Sequence, residues 1–123
     1  MTGGLSDDTV EKIRTLLRGH SEIDTAILHG SRAMGTHRNG SDIDLTLTGP
    51  DLTQRVLFTL LDEIDDLMFP YTFDVSIRDS KLNPALLDHI RRVGVVIYDR
   101  HGDASGATAI EENGKRIMPA GNR

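Results

Sequence analysis

Asp42 and Asp44 stand at i and i+2 within Ser41-Asp42-Ile43-Asp44-Leu45, and Asp42 follows Ser31 of a Gly30-Ser31-Arg32 turn by eleven residues. Residues two apart on a strand point to the same face, so these carboxylates can address one divalent metal. A Gly-Ser turn between a strand-like and a helix-like run lets backbone N–H groups face a phosphate. Gly30 has no Cβ and admits a close approach, while Ser31 adds a hydroxyl donor at a helix N-terminus. Arg32 and Arg38 add positive charge for a triphosphate. A phosphate cradle beside a metal-binding pair is equipment for moving nucleotides.

The elements that must position these residues follow from periodicity. Asp8 with Glu11 reads as a capping box opening a helix whose Val10, Ile13, Leu16 and Leu17 share a face until Gly19. Thr25 to His29 reads as a short apolar strand, and Ser31 as the N-cap of a helical turn ending at Gly35. From Asp42 to Thr48, Ile43, Leu45 and Leu47 alternate with Asp42, Asp44, Thr46 and Thr48. A long amphipathic helix spans Leu52 to Leu67, its wet side acidic at Asp62, Glu63, Asp65 and Asp66. Thr72 to Ile77 alternates again, Asn83-Pro84 opens another helix, and Val95 to Tyr98 is a last strand.

The order α-β-α-β-α-β-α-β implies an α/β (α+β) fold, a small mixed sheet packed with helices. A short connection makes the first two strands antiparallel, whereas the long helix suits a parallel crossover to the third. Gly30 and Ser31 then lie beside the start of the second strand, and Asp74, on the polar side of the third, joins Asp42 and Asp44. Three converging carboxylates repel one another unless cations bind. Two metals there would clamp the attacking and leaving oxygens of a displacement at phosphorus.

Composition narrows the partners. The chain has 123 residues and a net charge of −5, which argues against direct nucleic-acid binding. It has no cysteine, no apolar run near membrane length and no signal-peptide pattern, so a cytoplasmic protein is expected. Residues 1–100 read as one domain. Residues 101–123 read as a polar, glycine-containing tail, flexible or partner-binding.

The Gly30-Ser31-Arg32-Ala33-Met34-Gly35 turn, Arg38, Ser41-Asp42-Ile43-Asp44-Leu45 and Asp74 together resemble the polymerase-β-type nucleotidyltransferase superfamily, and more narrowly its minimal nucleotidyltransferase (MNT) domains. The resemblance covers roughly residues 5–100, and Met34 departs from it where many members carry a basic residue. It implies catalytic, metal-binding roles for Asp42, Asp44 and Asp74, with Mg²⁺ as cofactor in two ions. It implies nucleotide contacts from Gly30 and Ser31, to which the residue reading adds Arg32 and Arg38. Stand-alone MNT domains resemble antitoxins that transfer AMP from ATP to a tyrosine of a partner HEPN ribonuclease toxin. Two other readings remain at this point: an antitoxin that masks its toxin by contact alone, and an enzyme acting on a small hydroxyl compound. Arg32 can equally pair with a structural carboxylate, and Arg38 can be a solvated loop charge.

Overall fold

The computed structural model describes residues 2–79 and 81–102. Helices and strands alternate: α1 (Asp7–Arg18), β1 (Thr25–His29), α2 (Gly30–Met34), β2 (Ile43–Thr48), α3 (Gln54–Asp66), β3 (Phe73–Ile77), α4 (Pro84–Val93) and β4 (Val95–Asp99). This is the element order expected from sequence. The tail expected from His101 lies, from residue 103 onward, outside the described residues.

The strands form one mixed sheet in the order β3-β2-β1-β4. β1 runs antiparallel to β2 and to β4, while β2 and β3 are parallel. The segment carrying α3 is long enough to return β3 parallel to its neighbour β2, and the segment carrying α4 likewise returns β4 in the direction of β3, on the far side of β1.

One face of the sheet is sealed. Ile43, Leu45 and Leu47 of β2 are fully buried and join Leu57, Leu60 and Ile64 of α3 and Val10, Ile13 and Leu17 of α1 in a single core. Each buried aliphatic side chain contributes about 1.5–3 kcal/mol relative to exposure, so this face carries most of the folding energy. The other face is only half covered. α4 packs Ile90 and Leu86 against Ile27 of β1 and Val96 of β4. On the same side Asp44 is half-buried and Asp74 exposed.

Two helix starts differ from the expected ones. Ser6, not Asp8, caps α1, its hydroxyl accepting from the Thr9 N–H at 3.1 Å. Asp8 instead lies in the first turn, where the helix dipole favours a carboxylate, and pairs with Lys12 at 3.2 Å. For α2 the cap position belongs to His29, which makes no side-chain cap bond, and Ser31 lies inside the turn. The helix thus opens two residues earlier than expected, at Gly30, whose φ of +74° a β-branched or bulky residue would resist. Gly35 ends α2 and Asn83 caps α4 ahead of Pro84, both as expected.

Candidate active site

The strand register assembles the site. His29 at the end of β1 is opposite Asp44 of β2, and Asp44 is opposite Asp74 of β3. Gly30 follows immediately and presses on Asp44: a Cβ built at Gly30 would collide with Asp44 Oδ2. Glycine is therefore required twice over, for its positive φ and for the carboxylate beside it. Asp42, just before β2, is exposed beside them.

The electrostatics show how closely these groups are coupled. Burial raises the Asp44 pKa above its ordinary 3.8, and the charges of Asp74 and Asp42 raise it further. Both of the other sequence-derived carboxylates thus act on Asp44. As placed, no three His, Asp or Glu side chains among the described residues form a ready-made metal cage. The donors are oxygens only, which suits a hard cation that completes its shell with water and substrate phosphate.

Arg32 and Arg38 take different places. Arg32 is 4% exposed and donates from Nε and Nη2 to the Ser41 carbonyl at 3.1 and 3.0 Å and from Nη1 to the Gly3 carbonyl at 2.8 Å. Its guanidinium also lies 4.9 Å from the centre of the Tyr71 ring. These bonds tie the N-terminal turn and the β3 approach to the residue preceding Asp42, so Arg32 orients the loop that delivers a carboxylate. The hydrogen-bond partners are backbone carbonyls, not the structural carboxylate that the sequence reading allowed for. Arg38 is exposed and borders a cavity of about 260 Å³ with Arg32, His37 and Tyr71, at the loop that leads into Asp42.

Sequence reasoning missed His89. From α4 its Nε2 accepts the Gly30 N–H at 3.0 Å, and its ring meets His29 edge-on with centroids 6.1 Å apart. A signal was present: His89 lies three residues after Leu86 and just before Ile90, a polar member of an apolar helical stripe. His29, which the sequence places at the end of an apolar strand, is buried and hydrogen-bonded. Burial, then the charge of His89, pushes its pKa below 6.5. Its Nε2 meets Thr46 Oγ1 at 3.0 Å, and Thr46 Oγ1 meets Ser76 Oγ at 2.9 Å. A polar chain thus runs across β1, β2 and β3 beneath the carboxylates.

A Gly-Ser turn, paired strand carboxylates and an open polar sheet face define a nucleotidyl-transfer class of site. The chain belongs to the Polymerase beta, Nucleotidyltransferase family, whose pattern matches residues 11–103. Its fold is similar to a toxin–antitoxin solved with AMP-PNP, at TM-score 0.62 and 21% identity, covering 78% of this chain and 77% of that one. It is also similar to a structure of a tri-AMPylated Shewanella oneidensis HEPN toxin in complex with an MNT antitoxin, at TM-score 0.59 and 18% identity, covering 77% of this chain and 73% of that one. At such identities the likeness establishes the fold. No curated protein sequence matches the chain. No helix among the described residues is long and apolar enough to cross a membrane.

Proposed function

We infer that this protein is an antitoxin enzyme that transfers AMP from ATP to a tyrosine hydroxyl of a partner HEPN toxin, with Mg²⁺ as cofactor. The observation that carries the reading is the Asp44–Asp74 pairing across β2 and β3, with Gly30 pressed against Asp44. Family membership supports the nucleotidyl-transfer chemistry. The likeness to toxin–antitoxin structures, one with AMP-PNP and one with an AMPylated toxin, supports the partner.

The residues divide the work. Gly30 and Ser31 receive the triphosphate, and the Gly30 N–H now held by His89 is a donor that a phosphate oxygen can take over. Asp42, Asp44 and Asp74 would hold Mg²⁺, which supplies charge neutralisation at the α-phosphate and the departing pyrophosphate. Asp74, exposed on the outer strand, is the carboxylate an incoming acceptor meets, and it takes the hydroxyl proton. The tyrosine oxygen then bonds to the α-phosphorus, the α–β phosphoanhydride bond breaks, and pyrophosphate leaves. Arg32 keeps Asp42 in place from behind.

The test incubates the protein with ATP labelled in the α-phosphate, Mg²⁺ and the protein encoded by the adjacent gene. Label should appear on that protein and vanish with Asp44→Asn. Absence of Asp44-dependent label sinks the reading. Full neutralisation of the toxin by Asp44→Asn would show masking by contact instead.

A further inference from the structure

A seam between α3 and β3 stays open beside the outer edge of the sheet. β3 has β2 on one side and, among the described residues, no strand on the other. Two cavities mark the seam, one of about 430 Å³ beside Leu61, Phe69 and Phe73, the other of about 290 Å³ beside Leu57, Val75 and Ile77. Phe58, Leu61 and Asp65 fall at i, i+3 and i+7, one stripe along α3. Met68, just past the helix, lines the same cavity as Leu61 and Asp65. Phe58 is 60% and Met68 83% exposed, so large apolar groups stand in water along this line. Met68 also sits at φ +57°, a left-handed conformation where glycine is usual. The backbone is held in an uncommon state that presents a thioether to solvent.

Toward the end of α3 the rim of the seam is acidic, whereas Lys81 stands at the far cavity. Asp62, Asp65 and Asp66 are exposed, and none has an ion-pair partner among the described residues, whereas Glu63 bonds to His20 at 2.7 Å. Unpaired carboxylates beside an apolar stripe repel phosphate chains and attract Lys or Arg flanking an apolar anchor. The 13 residues of α3 run about 20 Å, the length of a comparable helix laid beside it.

We propose that the α3–β3 seam docks an amphipathic helix of the acceptor protein, its apolar stripe against Phe58, Leu61 and Met68 and its basic residues against Asp62, Asp65 and Asp66. The proposal rests on the transfer reading above, because Phe73 adjoins Asp74 along β3. A helix seated there lies against the strand bearing the third carboxylate, and brings the acceptor hydroxyl around the free edge toward it.

The protein encoded by the adjacent gene is the probe. Its affinity is measured by calorimetry against wild type, the Phe58→Glu/Met68→Glu variant and the Asp62→Lys/Asp65→Lys variant, with AMP-PNP binding measured on each. AMP-PNP affinity should be unchanged, which shows that the variants fold. Affinity for the neighbour should fall roughly 30-fold or more for the apolar pair and about tenfold for the charge reversal, the latter loss shrinking in high salt. Unchanged affinity in folded variants overturns the docking surface even if label still transfers. No binding of the neighbour by wild type overturns it too. Loss of binding in both variants while wild type transfers no label keeps the surface and removes the transfer reading. Self-association of the free chain that Phe58→Glu/Met68→Glu abolishes would assign the seam to a second copy and overturn the proposal.

Discussion

The two faces of β2 have opposite fates although they share one backbone. Ile43, Leu45 and Leu47 are wholly buried under α1 and α3, whereas Asp44, between two of them, reaches the half-open side with Asp74 and His29. The first set stabilises the fold, and the second works against it, because charged groups gathered in partial burial raise one another's energy. Stability and reactivity are thus separated by a single step along the strand.

The sharpest way to break this comparison is to change neighbours. Leu45→Ala should cost about 2–5 kcal/mol in denaturant unfolding, the loss expected for a fully buried leucine. Asp44→Asn should leave stability equal or higher, yet reduce label transfer roughly a thousandfold, several kcal/mol of transition-state stabilisation. Equal destabilisation by the two changes would show that the faces are not divided as described.

Gly30→Ala probes the boundary between the faces. Its Cβ would collide with Asp44 Oδ2, and its φ of +74° is strained for alanine. The fold should lose about 1–2 kcal/mol, with a larger fractional loss in nucleotide affinity measured with AMP-PNP.

How much of this was legible depended on whether the signal was local. The alternation in 42–48 and 72–77, with the long helix between them, sufficed for the antiparallel and parallel pairings and for placing Asp74 beside Asp44. His89 was not legible as a site residue, because its meaning depends on α4 crossing the end of β1, a tertiary fact with only an apolar-stripe irregularity to announce it. Arg32 looked like a phosphate ligand because charge is visible in sequence, while the carbonyls of Ser41 and Gly3 that engage it are not. The cap of α1 reads as Asp8 rather than Ser6 for a similar reason: both residue types cap well, and the choice of first turn goes with Leu5 and Val10 joining the core.

A pH series sharpens the electrostatic half of the comparison. The folded pKa of Asp44 lies above 3.8, raised by burial and then by Asp74 and Asp42. An acid raised on folding binds more protons in the native state, so its favourable contribution is complete below its unfolded pKa and lost as pH rises through the folded value. In EDTA, wild type should therefore lose stability relative to Asp44→Asn as pH climbs through that window, and thermal melts should then stay offset at higher pH with the asparagine variant the more stable. Parallel curves throughout would mean that Asp44 is not opposed by its neighbours.

The smallest expected effect concerns a second place where the molecule gives up stability, the end of α3. Met68 occupies the left-handed position beyond the helix, where glycine carries no Cβ penalty, so Met68→Gly should raise stability by about 1 kcal/mol in denaturant unfolding. The same change removes an 83%-exposed apolar side chain from the seam, so affinity for the neighbouring protein should fall while AMP-PNP binding stays constant. Opposite signs in stability and partner affinity would mark the strained methionine, like the crowded carboxylates, as a feature kept for recognition. If stability and partner affinity rose together, Met68 would have no part in docking and the seam would need another anchor.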